Sequence, residues 1–169
     1  RQIAAADAAK TLGLSSVHRY DFPDNQMDTV PLLELAQAVE ARLEAFEADT
    51  IITHHGGDLN VDHRAVHHAV MTACRPLPGS SVERILTFEV PSSTEWASSA
   101  LPPFVPSCRI DISDYMGKKR EALNCYADEM REFPHARSIE AIEAMAKFRG
   151  SQAGFGFAEA FMVERWLIR

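Results

Sequence analysis

Thr50-Ile51-Ile52-Thr53-His54-His55-Gly56-Gly57-Asp58-Leu59-Asn60-Val61-Asp62-His63-Arg64 changes character half way along. Thr50 to Thr53 reads as a short buried strand, β-branched and apolar. The chain then breaks at Gly56-Gly57 into a polar loop carrying His54, His55, Asp58, Asn60, Asp62 and His63, and a helical pattern starts at Val61 or Asp62. Five of the seven histidines lie between residues 54 and 68, so imidazole is concentrated at one strand end. In an open α/β sheet, ligands bind outside the carboxyl ends of the strands, where loops hold polar groups over a rigid edge. His and Asp ligate zinc and work as acid and base near neutral pH, which makes a metal-assisted reaction the first hypothesis.

The elements on either side fit that reading. Gln2 to Leu12 is an Ala-rich helix with Ile3, Ala6, Ala9 and Leu12 on one face, ended by Gly13. Val17 to Phe22 reads as a short strand closed by Pro23-Asp24-Asn25. From Val30 to Glu47, Leu32, Leu35, Val39, Leu43 and Phe46 follow the helical period, with Pro31 in the first turn. Residues 62 to 74 form a helix that stops before Pro76, and Ile85 to Val90 a buried strand closed by Pro91. Alternating helices and strands imply parallel crossovers and an α/β fold, a Rossmann-like three-layer sandwich with a mostly parallel sheet. A Pro- and Ser-rich stretch from Ser92 to Pro106 reads as a long loop, of the kind that often carries function. Beyond it come a strand at Cys108 to Ile112, a helix with Ser113 as N-cap and Tyr115, Leu123, Tyr126 and Met130 on its face, a Ser138-capped helix to Gly150, and a last strand from Phe161 to Ile168.

Composition bounds the class. A chain of 169 residues, 46% apolar, suits a single domain with a substantial core. The net charge of −7 argues against nucleic acid, because the longest basic cluster is Lys118-Lys119-Arg120. Cys74, Cys108 and Cys125 are odd in number and lack C-x-x-C spacing, which fits reduced thiols and a cytoplasmic location. No apolar run reaches membrane-spanning length, so no membrane partner is expected. The chain opens on Arg1, not Met, and the reading is that it starts inside a larger protein.

Several residue choices stay open on spacing alone. His63 and His67 are four apart on one helix, a spacing that lets two imidazoles share a metal, although without H-E-x-x-H. Alternatively His63 faces the site while His67 and His68 cover the helix flank, and this is preferred. Asp62 can hydrogen-bond a neighbouring group or cap the helix at its positive end. His54 and His55 are either functional or buried and backbone-bonded, and Asp58 and Asn60 can be turn residues.

The run from Thr53 to Arg64 resembles the second signature of the PIG-L, or LmbE-like, family of zinc-dependent N-acetylsugar deacetylases. The resemblance continues through Phe88-Glu-Val-Pro-Ser-Ser-Thr-Glu-Trp96, Pro134-His-Ala-Arg-Ser138, Arg149-Gly-Ser151 and Ala158-Glu-Ala-Phe161. It implies Zn2+ as cofactor, with His63 as third metal ligand and Asp62 as its neighbour in an Asp-His pair. Many members have histidine where this chain has Asn60. The implied reaction is attack of a zinc-activated water on the acetamide of an N-acetylated sugar or sugar conjugate of the N-acetylglucosamine type, releasing acetate. Asn60 or a loop histidine such as His55 would donate to the oxyanion, and Glu89, Glu95, His135, Arg149 and Glu159 would bind sugar hydroxyls or shape the pocket. Structural ion pairing is the plainer role for Arg149 and Glu159.

One family block is absent from these residues. The first signature, Ala-His-Pro-Asp-Asp, supplies two zinc ligands and the general base, and in the family it lies roughly 40 to 60 residues before the helix that opens this chain. The expectation is therefore the C-terminal three quarters of a deacetylase, inactive and weakly zinc-binding by itself, with an exposed sheet edge beside Thr50 to Thr53. A homo-oligomer is allowed. The rival readings are a non-catalytic sugar-binding or scaffold domain and a phosphoesterase- or lactamase-like metallohydrolase, the latter short of further histidines, since only His18 and His135 remain.

Overall fold

A computed structural model describes residues 2–168; Arg1 and Arg169 lie outside the described residues. Among the described residues five α-helices and four strands follow one another as α1 (Gln2–Leu12), α2 (Leu32–Phe46), β1 (Thr50–His54), α3 (Val61–Ala73), β2 (Arg84–Phe88), β3 (Cys108–Asp111), α4 (Met116–Asn124), α5 (Ile139–Ser151) and β4 (Ala158–Trp166). The strands form a sheet in the order β1-β2-β4-β3, and the α/β class expected from the alternation stands. β1 and β2 are parallel, Thr50 opposite Arg84 through His54 opposite Phe88, joined by the α3 crossover. β4 runs antiparallel to β2, with an irregularity between Ile85 and Leu86. Parallel pairing is thus confined to the β1–β2 crossover, since period-two patterning does not encode strand direction.

Among the described residues β1 is an edge strand of the sheet, with Ile52 51% exposed. Residues 17–22 form no strand. Their pattern is strand-like, but a strand exists only where a neighbour completes its ladder, and the described residues offer none there.

The chain divides into two compact units. One combines the chain up to Asp21 with Arg109–Glu159. In it α1 packs on α4, burying Ala8, Ala9, Met116 and Ala122. Ser138 caps α5, its hydroxyl accepting from Ala141 N at 3.0 Å. Ser113 does not cap α4; it opens a 3-10 turn, bonds Asp111 and accepts from Phe157 N, so α4 starts only at Met116 and ends before Tyr126 and Met130.

The other unit, Phe22–Cys108 with the chain from Ala160 on, contains β1, β2, most of β4, α2 and α3. Its core is Val70 of α3 and the C-cap Cys74 against Val82 and Ile85, flanked by Val39, Leu43, Ile51 and Val66. These are the inward positions of α2 and α3, and their burial is the main force seating α3 over the β1–β2 pair. α2 ends at Glu47 in the left-handed region (φ 46°), which turns the chain directly into β1.

Gly57 lets two segments of this unit meet. A Cβ there would overlap the Pro102 carbonyl oxygen and lie 2.8 Å from His55 Nε2. Gly57→Ala is expected to cost about 3 kcal/mol, the upper end of overpacking, because the obstruction is backbone. Urea unfolding measures this, and an unchanged midpoint would show that the 102 segment does not rest on this loop.

Candidate active site

The site is built where β1 and β2 end. Parallel strands deliver their outgoing loops to the same edge, so residues 55–60 after β1 and residues 89–96 after β2 come side by side. Asp58 is where they join. Its carboxylate is fully buried and accepts from Asn60 N (2.8 Å), from the Ser93 hydroxyl, from Thr94 Oγ1 (2.6 Å) and from His63 Nδ1 (3.0 Å). Burial alone would raise this carboxyl's pKa; the hydrogen bonds from His63, Ser93, Thr94 and the Asn60 amide outweigh it and hold the group below the usual carboxylate range.

α3 reaches back to fix the loop that precedes it. Asn60 is its N-cap, with its side-chain oxygen accepting from Asp62 N at 2.8 Å. Arg64 donates to the carbonyls of Asp58 (2.7 Å) and Leu59 (2.5 Å). His67 Nδ1 donates to the His54 carbonyl (2.9 Å), with its ring seated against Gly56. His63 and His67 therefore share a helix face but clamp different groups, one a carboxylate and the other a main-chain carbonyl.

The remaining expected residues divide by what they touch. Asp62 accepts from Asn25 N (2.5 Å) and Met27 N (2.9 Å), tying down the segment ahead of α2. His55 is 3% exposed, donates through Nε2 to the Pro102 carbonyl (2.9 Å) and meets Phe104 edge-on. Glu95 accepts from Ser92 N (2.6 Å) and Ser93 N (3.2 Å), so its carboxylate shapes the turn around Asp58. Glu89 stands half-buried at the end of β2. His135, Arg149 and Glu159 belong to the other unit: His135 Nδ1 accepts from Arg137 N (3.0 Å), Arg149 lies over the Phe148 ring, and Glu159 pairs with Lys119 (2.6 Å). From sequence, Asp58 reads as a turn residue and Ser93 and Thr94 only as part of a long loop and of the Phe88–Trp96 block; the available signal was two adjacent hydroxyls in the loop after the strand that pairs in parallel with β1.

The His63 ring is stacked on His54 (centroids 4.1 Å apart, planes 15° apart), and Phe88 lies beyond at 4.9 Å from His54. A carboxylate behind one imidazole nitrogen, with the other nitrogen left for a ligand, is the arrangement that orients metal-binding histidines. His63 thus suits one zinc position. Among the described residues, however, no group of three or more His, Cys, Asp or Glu side chains is placed to hold a metal ion, so the donor set present is not a complete zinc site.

Comparison with known proteins bears on the same region. Residues 1–74 match the sequence profile of the family described as PIG-L: GlcNAc-PI de-N-acetylase. The PIG-L resemblance is borne out. The matched stretch ends with α3, so this PIG-L-like region contains Asp58 and His63 and leaves Ser93 and Thr94 beyond it. No curated protein matches the sequence significantly. Among solved structures, the fold is similar to a conserved protein from Thermus thermophilus (TM-score 0.76, 21% identity, 99% of this chain and 74% of that one). It is also similar to N,N'-diacetylchitobiose deacetylase from Pyrococcus horikoshii (TM-score 0.72, 15% identity, 97% of this chain and 62% of that one). A third similar structure is 4-carboxy-2-hydroxymuconate hydratase from Pseudomonas putida (TM-score 0.64, 21% identity, 99% of this chain and 72% of that one). The chain spans less than two thirds of the chitobiose deacetylase. No helix among the described residues is long and apolar enough to cross a membrane.

The stacked pair makes stability depend on pH. His54 is held down to about 4 from an ordinary 6.5, first by burial and then by the neighbouring His63, with Asp58 pulling the other way and His67 adding to the depression. Between those values the unfolded chain binds a proton that the folded one refuses, so stability falls as pH falls through the window. Metal-free protein is expected to lose about 2 kcal/mol between pH 7 and pH 5, and His54→Gln to flatten that slope. Asp58 acts lower, its contribution being lost only as pH drops below the ordinary carboxylate range. Urea midpoints across a pH series test this; a wild-type midpoint that does not move from pH 7 to pH 5 contradicts it.

Proposed function

We propose that this chain serves a metal-dependent hydrolase that removes the acetyl group from an N-acetylated sugar or sugar conjugate of the N-acetylglucosamine type. The observation that carries the reading is the His63 imidazole, held through Nδ1 by a buried carboxylate at the sheet's carboxyl edge, inside the stretch that matches the PIG-L family. The chitobiose deacetylase similarity supports it; the hydratase of similar fold is the reason that fold alone does not carry it.

In this reading His63 would be one ligand of a zinc ion, with Nε2 the nitrogen left for it. Zinc, when bound, lowers the pKa of a water at its open position towards neutrality. Asn60 uses its side-chain oxygen as helix cap and offers its amide NH2 to an oxyanion. Asp62 and His55 act by position, Asp62 through the amides of residues 25 and 27 and His55 through Pro102. Glu89 is the carboxylate of choice for a sugar hydroxyl at this edge, while Glu95 holds the turn. His135, Arg149 and Glu159 stay candidates for substrate contacts, with Glu159 already ion-paired to Lys119. The rival reading, a non-catalytic sugar-binding domain, predicts sugar binding without metal.

His63→Ala in the full-length protein is expected to lower bound zinc and acetate release together, by at least about 10-fold. His67→Ala should keep both and lose stability instead, because it holds a loop carbonyl. Metal analysis, acetate assay and circular dichroism of the two variants beside wild type decide. A folded His63→Ala protein that retains stoichiometric zinc and near-normal acetate release removes the basis of this assignment.

A further inference from the structure

We propose that Ser93 and Thr94 are positioning residues: through Asp58 they fix the His63 tautomer, with the proton on Nδ1 and the lone pair on Nε2. The consequence for zinc rests on the reading of His63 as a ligand; the tautomer itself does not.

The argument is a count of donors. Asn60 N–H can only donate, and it points at Asp58 Oδ1 at 2.8 Å. Thr94 Oγ1 already accepts from Val90 N at 2.7 Å, so its own proton is directed to Asp58 Oδ2, 2.6 Å away. The buried Ser93 hydroxyl donates to Oδ1. Surrounded by donors, the carboxylate acts as an acceptor towards every partner, and its remaining contact, His63 Nδ1 at 3.0 Å, is therefore N–H···O. A neutral imidazole has one ring proton, so Nε2 is left as the lone-pair nitrogen.

The turn that supplies the hydroxyls is built for the purpose at a local cost. Ser92 adopts φ 65°, a left-handed conformation that costs a non-glycine residue about 1 kcal/mol or more. Both oxygens of Glu95 hold that turn by accepting from Ser92 N and Ser93 N. The result wraps residues 93 and 94 onto a carboxylate 35 positions earlier in the chain. Oδ1 and Oδ2 then have separate donors, which stops the carboxylate rotating, and the stacked His54 ring stops the imidazole tilting.

The test is spectroscopic and needs no activity. In metal-free, 15N-labelled full-length protein at neutral pH, long-range 1H–15N correlation is expected to show the His63 proton on Nδ1. Asp58→Ala should move it largely to Nε2. Thr94→Val should give a mixture of tautomers and weaken zinc, measured against a chromophoric chelator, by about 10-fold, whereas Thr94→Ser restores both. A wild-type His63 protonated on Nε2, or an Asp58→Ala variant that keeps the proton on Nδ1, overturns the inference, as does a Thr94→Val protein with unchanged spectrum and affinity. If the tautomers behave as expected but Asp58→Ala and His63→Ala leave zinc affinity untouched, the positioning stands and the ligand reading of His63 falls.

Discussion

A carboxylate taken wholly out of water must find hydrogen-bond donors on every side, and the His-rich edge of this protein is arranged around that requirement at Asp58. Four donors from three segments converge on it: one from its own loop, one from the first turn of α3, and two from the turn after β2. No single segment could supply them. The carboxylate therefore acts as a staple between loops, and the loss of one donor would leave a buried charge short of a partner, which is far more costly than the loss of an exposed contact.

Convergence depends on the sheet. Because β1 and β2 are parallel and in register from Thr50–Arg84 to His54–Phe88, both outgoing loops leave at one edge and at one height. α3, the crossover between them, is anchored by Val70 and Cys74 in the core, and from that anchorage it directs His63, Arg64 and His67 back over the loop. Burial of an apolar face and presentation of a polar one are consequences of the same helical period. Rigidity of the candidate ligand is therefore inherited from the core.

The same geometry gives the clustered histidines different partners. His55 is committed to the Pro102 carbonyl, His67 to the His54 carbonyl, and His54 to the face of His63. Each is well suited to hold its neighbour in place. His63 has a charged partner behind one nitrogen, and that distinguishes it chemically from His55 and His67, which serve as backbone clamps.

The sequence by itself determined the elements around the candidate site: the β1 strand, the Gly56-Gly57 break and the start of α3 one or two residues before His63; it also preferred His63 over His67 as the candidate ligand. Those are local properties, set by side-chain period, turn chemistry and helix caps within a few residues. It did not reveal that residues 17–22 form no strand or that β4 runs against β2, because a strand pattern carries neither its partner nor its direction. Nor did it reveal which acid serves which group. Asp62, adjacent to His63, is drawn to the amides of Asn25 and Met27, whereas Asp58, five residues away, takes the imidazole together with Ser93 and Thr94. Only tertiary structure decided that, since the bonds of Asp62 to Met27 and of Asp58 to Ser93 join residues about 35 apart, the second of them because two parallel strands end at the same edge.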